Sequence, residues 1–149
     1  MQRVTIDTNV FIRHDPAGFP AGFFMSAVVV QELTAGAKDA AAVRAYDHMW
    51  KWYEAAGLLL VPTGEDWWIA GKVLNSLLRG LRSHKRGRIP AISKEEQQRL
   101  LRDVLIARTA RRVNAGVVTE NVADFKKIKN FCDVRIIRPA EYLGILDIR

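Results

Sequence analysis

Short apolar runs of strand length recur along the chain, separated by longer stretches at helical spacing. Residues 3–6, 23–25, 58–61, 116–119 and 134–137 read as strands. Residues 27–35, 38–56, a stretch capped by Thr63, residues 93–113 and a short stretch from Asn121 read as helices. Alternation of this kind builds an α/β domain: a central, mostly parallel sheet flanked by helices on both faces. Punctuation supports the boundaries. Pro16, Gly18, Pro20 and Gly22 mark a loop, Ser26 and Gly36 bracket the first long helix, and Gly57 ends the second. Ser93-Lys94-Glu95-Glu96 is a capping box. The chain has 149 residues and no repeat or linker, so it is expected to form one domain.

Two helices flanking the strand at 58–61 carry all four tryptophans. Trp50 and Trp67 fit core stripes, the second running Trp67, Ala70, Leu74, Leu77, Leu78 and Leu81. Trp52 and Trp68 fall outside those stripes and, where exposed, suit a partner surface, with core packing the stronger alternative.

Composition narrows the partner and the compartment. No apolar run approaches the roughly 18 residues that span a bilayer, and the N-terminus enters a strand-like run with no secretory signal. The single cysteine, Cys132, excludes an internal disulfide and a cysteine-based zinc site. A cytoplasmic protein is expected. The net charge is +7. Residues 67–94 hold seven Lys/Arg and no acid, leaving sixteen bases and sixteen acids elsewhere. All the excess positive charge thus lies in one segment. Such a patch suits nucleic acid; a solvated loop or an acidic protein partner are the alternatives.

The informative acids are those where a core residue belongs, because a carboxylate on an apolar face is costly unless paired. Asp103 has Leu100, Ile106, Ala107 and Ala110 as its helical neighbours, so it lies on a core-facing stripe. Glu32 repeats the pattern among Val28, Val29, Ala35 and Gly36. Asp7 directly follows the first strand, and Asp124 follows the strand ending at Thr119 by one short turn. Ligand sites in open α/β sheets form beyond the carboxyl ends of strands, so Asp7 and Asp124 are expected on one edge. Each acid also has a plain alternative. Asp103 or Glu32 suits a pairing with a buried arginine, Asp7 suits the cap of the turn Asp7-Thr8-Asn9, and Asp124 suits the first turn of its own helix. Converging carboxylates without Cys or His fit a hard cation, Mg²⁺ or Mn²⁺. His14, His48 and His84 have no metal-ligand spacing. Phosphate-loop and nucleophile-elbow motifs are absent from the sequence.

With these residues in hand, the chain resembles the PIN-domain nucleases. The matching segments are Val4-Thr5-Ile6-Asp7-Thr8-Asn9-Val10-Phe11-Ile12, Ser26 to Leu33 with Gly36, Asp103-Val104-Leu105-Ile106-Ala107, and Val117 to Phe125. They lie in family order across nearly the whole chain. A single domain of this length looks most like the VapC-type toxins of toxin–antitoxin pairs. The resemblance implies a metal-dependent endoribonuclease using Mg²⁺ or Mn²⁺, a cognate antitoxin and a homodimer. Asp7, Glu32 and Asp103 match the first three acids. Many relatives carry aspartate where this chain has Asn121; here Asp124 would supply the fourth charge, and Glu120 is expected to face away. The stretch before Asp103 is longer than in many relatives, and it contains the basic segment.

The resulting expectation is that Asp7 and Asp103 hold the principal ion, with Glu32 and Asp124 completing the set directly or through water. Thr8, Asn9, Thr119 and Asn121 would hydrogen-bond the ligands from behind. Acids repel phosphate, so Arg79, Arg82, Lys85, Arg86 and Arg88 are the expected RNA contacts. Two enzyme readings compete: a PIN nuclease of RNA maturation, and a haloacid-dehalogenase-like phosphatase. The phosphatase requires a second acid two residues after Asp7, where Asn9 stands. A non-catalytic nucleic-acid-binding regulator on a degenerate nuclease fold is the third alternative.

Overall fold

A computed structural model describes residues 2–84 and 92–145, with the backbone alone at 81–84. Strand β1 (Val4–Ile6) is buried throughout, and Asp7 ends it by capping α1 (Thr8–Arg13). A 3-10 turn at Pro16–Gly18 leads to β2 (Met25–Ser26) and directly into α2 (Ala27–Ala35). Then follow α3 (Ala40–Ala55), β3 (Leu59–Leu60), α4 (Gly64–His84) and α5 (Lys94–Arg112). The chain continues with β4 (Gly116–Val118), α6 (Val122–Ile128), β5 (Ile136–Ile137) and α7 (Pro139–Leu143).

Two of the expected caps form and one does not. The Ser93 hydroxyl accepts from the Glu96 amide at 3.2 Å, and the Thr63 hydroxyl accepts from the Asp66 amide at 3.2 Å. Ser26 occupies the cap position of α2, but its hydroxyl is buried without a partner. It is also a β2 residue, so the strand sets its direction.

The sheet is parallel, as expected. Its order is β1-β4-β5, with Ile6 beside Val118 and Val118 beside Ile137. A second parallel pair, β2-β3, is tied to β1 by a parallel bridge between Thr5 and Phe24. This register brings the carboxyl ends of β1, β4 and β5 to one edge, so Asp7, Thr119 and Arg138 follow one another across it. Gly116 lets the neighbouring strand's side chains lie close over β4: a Cβ there would meet Ile137 Cδ1 at 2.9 Å and Arg135 Nε at 3.0 Å, so those side chains would have to shift.

Alternate strand residues feed two buried clusters. Val117 joins α2 and α5 residues such as Val29, Leu33, Ile106 and Ala110. Val4, Ile6, Val118 and Ile137 join Val10 and Phe19, with Tyr142 and Leu143 packed against them. Among the described residues no helix is long and apolar enough to cross a membrane.

The stripe of α4 differs from expectation. Its buried residues include Asp66, Ala70 and Val73, while Trp67 is 58% exposed beside the exposed Trp68. The cause is Asp66. Its carboxylate accepts from the Thr63 amide at 2.9 Å and from Arg108 Nε at 2.8 Å, and it also pairs with Arg112. These partners hold an acid at a core position and rotate Trp67 outward. The basic loop expected at 83–92 is helical at 83–84, where α4 ends at His84, and its residues 85–91 lie outside the described residues. Arg79 is exposed on α4; the Arg82 side chain and all of Lys85, Arg86 and Arg88 lie outside the described residues.

Candidate active site

The site begins where β1 stops. The Asp7 amide donates to Val118 O at 2.9 Å, extending the β1–β4 ladder by one bond. Its side chain then turns to cap α1, with Oδ1 accepting from the Thr8 amide at 2.8 Å. Oδ2 accepts from the Thr119 hydroxyl at 2.8 Å and from Asn9 Nδ2 at 3.3 Å. The capping role foreseen for Asp7 is therefore real, and it fixes the carboxylate at the sheet edge.

The other acids come from three helices. Glu32 lies on α2, with Oε1 3.8 Å from Arg102 Nε. Asp103 lies on α5, 5% exposed, and its Oδ2 is buried with no hydrogen-bond partner. Asp124 lies in the first turn of α6. It accepts from Asn121 Nδ2 at 2.7 Å and sits 3.4 Å from Lys127 Nζ and 3.8 Å from Arg99 Nε.

Asp7, Glu32 and Asp103 line one cavity of about 430 Å³, together with Thr8, Asn9 and Asn121. Asp124 is not among its lining residues, although its charge acts on Asp103. Glu120 borders the cavity; its amide donates to Asn9 Oδ1, while its carboxylate lies 3.1 Å from His14 Nε2, a residue of the neighbouring cavity. The Thr119 hydroxyl links the two ends of the site, accepting from the Asn121 amide at 2.9 Å while donating to Asp7.

Three cations in the cavity wall were missed in the sequence: Arg13, Arg99 and Arg102. Two of them had a signal. Arg99 precedes Asp103 by one helical turn, and Arg102 precedes it directly.

Electrostatics mark this as a site where negative charge is costly. Burial pushes the Asp103 carboxyl up to about 8, and the charges of Asp7, Asp124 and Glu32 add to the rise. Burial also raises Asp7, against the hydrogen bonds from Thr119 and Thr8. Glu32 rises through burial, opposed by Arg102. The donor set is all oxygen and includes a buried carboxylate atom with nothing to bind, which fits a hard divalent cation. Among the described residues no three His, Cys, Asp or Glu side chains already enclose one point. Glu32 leans toward Arg102, and Asp124 toward Asn121 and Lys127.

No family model and no curated protein matches the chain significantly. Solved structures do. A chain of VapBC-1 from nontypeable Haemophilus influenzae shares 21% identity at a TM-score of 0.55, over 92% of this chain and 98% of that one. A chain of FitAB bound to the IR36 DNA fragment shares 19% at 0.52, over 91% and 94%. A chain of VapBC2 from Rickettsia felis, bound to a promoter DNA fragment, shares 18% at 0.51, over 92% and 98%. These likenesses show the fold, which is the one that the resemblance to VapC-type toxins implies.

Proposed function

We propose that the chain is a metal-dependent endoribonuclease, the toxin of a toxin–antitoxin pair. One observation carries the reading: Asp7, Glu32 and Asp103, from a strand end and two helices, line a single cavity with Asp103 held far above its ordinary pKa. Carboxyls perturbed in this way, gathered in a cleft, mark a functional site. Asp7 and Asp103 would hold Mg²⁺ or Mn²⁺, with Glu32 and Asp124 completing the set directly or through water. The bound ion supplies polarisation of the scissile phosphate and acidification of a water.

The remaining work falls to the chain itself. Thr119 and Asn9 fix Asp7, and Asn121 aims Asp124. Glu32 would orient an attacking water or take its proton. Arg99 and Arg102, on the cavity wall, balance phosphate against the acids.

The fold likeness to chains of VapBC and FitAB complexes supports an antitoxin partner. The exposed Trp52, Trp67 and Trp68 suit that contact or a homodimer. Because the two buried clusters use alternate strand residues, we take helices to cover both faces of the sheet. A single buried, free cysteine suits the reducing cytoplasm.

The test is RNA cleavage by Asp7→Asn and Asp103→Asn with Mg²⁺ or Mn²⁺. Each is expected to lose more than about 100-fold, since residues that merely orient ligands cost 10–100-fold. Full activity in folded variants rejects the site.

A further inference from the structure

Acids that hold a cation repel phosphate, so the grip on a polyanion must come from beyond them. Two cations of the active-site wall face acids already: Arg99 lies near Asp124 and Arg102 near Glu32. The adjoining surface offers more. Glu120 lines both the active-site cavity and a second one of about 410 Å³, which reaches Arg138. Val122 and Arg138 line both the second and a third of about 530 Å³. The third carries Lys126, Lys129, Arg135 and Arg138 against a single acid, Glu141.

The fold explains the continuity. Arg138 follows β5 as Asp7 follows β1, so both stand at the same sheet edge with Thr119 between them. Lys126 and Lys129 are one helical turn apart, on α6 and at its end. All four cations are exposed. Lys129 reaches Asp133 at 4.0 Å, and the Arg135 guanidinium donates to the Arg3 carbonyl; neither contact buries the charge.

We propose that this groove binds the sugar-phosphate backbone of RNA flanking the cleaved bond, leading it from the carboxylate site along α6 and the end of β5. The inference rests on the nuclease reading. The contacts are charge to phosphate, so they are salt-dependent and indifferent to base sequence.

The test uses the full chain and its Lys126→Ala/Lys129→Ala/Arg138→Ala variant. Binding of a labelled single-stranded RNA of about 14 nucleotides, and of one of about four, is titrated in chelator at several salt concentrations. The variant is expected to bind the long RNA at least tenfold more weakly. Its salt slope should fall by about 2, from three lost contacts at roughly 0.7 each. Its preference for the long RNA over the short should shrink, and Lys126→Arg/Lys129→Arg should bind as the wild type does. Unchanged affinity and slope overturn the groove. A weaker affinity at unchanged slope overturns it too, since that is distortion and not phosphate contact. Wild-type cleavage with Mg²⁺ or Mn²⁺ is scored in parallel. RNA that is bound through the groove but never cut removes the nuclease reading and keeps the groove; RNA that is cut with the groove variant binding normally does the reverse.

Discussion

Asn121 donates a 2.7 Å hydrogen bond to Asp124 Oδ2, joining the residue that ends the β4 turn to the acid one helical turn later. The Asn121 amide is itself fixed on the Thr119 hydroxyl, which holds Asp7. An asparagine therefore stands where many of the nucleases that this chain resembles carry an acid, and it aims the acid that follows.

Asn121→Ala should leave Asp124 held only by two cations, Lys127 outside the cavity and Arg99 on its wall, with no hydrogen bond to fix its direction. Activity is expected to fall about 10–100-fold, the usual cost of losing a group that orients a ligand. Mn²⁺ affinity should weaken alongside, while the melting temperature stays near wild type because the side chain is half exposed. Normal Mn²⁺ binding in a calorimetric titration would show that Asp124 is not part of the set.

Asp103 predicts a pH effect of definite sign. Its folded pKa, about 8, lies above its ordinary 3.8. Its contribution to stability is therefore complete below about pH 4 and is lost as pH rises through 8. Asp103→Asn removes that loss. In chelator it should be more stable than wild type at pH 8 by at least about 1 kcal/mol, and equal to it near pH 4. Added Mn²⁺ should raise the wild-type melting temperature and leave the variant unmoved. Equal melting curves at pH 8 would mean that the cluster is already relieved of charge.

Much of this site could be read in the sequence, because a carboxylate on an apolar stripe breaks the solvation rule. Asp103 and Glu32 stood out for that reason, and Asp7 by ending a strand. The arginines did not stand out, since an arginine beside a buried acid looks like any surface residue until the helix is packed. Trp67 misled in the opposite sense. Its stripe was apolar, but the buried face of α4 is anchored by Asp66, whose partners Arg108 and Arg112 lie 42 and 46 residues away. No local pattern encodes a pairing at that distance. The concentration of charge at 67–94 was legible from its lack of acids, whereas the cationic groove of α6 and β5 was not: residues 126–138 hold five bases and one acid, Asp133, and only folding sets four of those bases along one cavity.

Asp66 should make the fold acid-sensitive. Burial alone would raise its carboxyl, yet the Thr63 amide and the two arginines pull it down to about 2. A lowered acid contributes stability above about pH 4 and loses it as pH falls toward 2. The shift corresponds to about 2 kcal/mol. Asp66→Asn should abolish this part of the acid transition and destabilise the chain at pH 7, seen as a lower urea midpoint. An unchanged midpoint would make the network neutral, as replaceable buried ion pairs sometimes are.

Arg102 separates the two demands on the site. Its guanidinium lies 3.8 Å from Glu32 and offsets part of the rise that burial imposes on Glu32 and Asp7. Neutralising it with Arg102→Gln leaves the acids more negative toward a cation and less tolerant of phosphate. One unit charge at this range, in a half-open site, is worth about threefold to tenfold in affinity after screening. Mn²⁺ should therefore bind more tightly in the variant by about that factor, while KM for RNA rises by a similar one. The two effects have opposite signs because one side chain faces two ligands of opposite charge. If Mn²⁺ affinity and KM worsened together, Arg102 would be holding the shape of the site and not its charge balance.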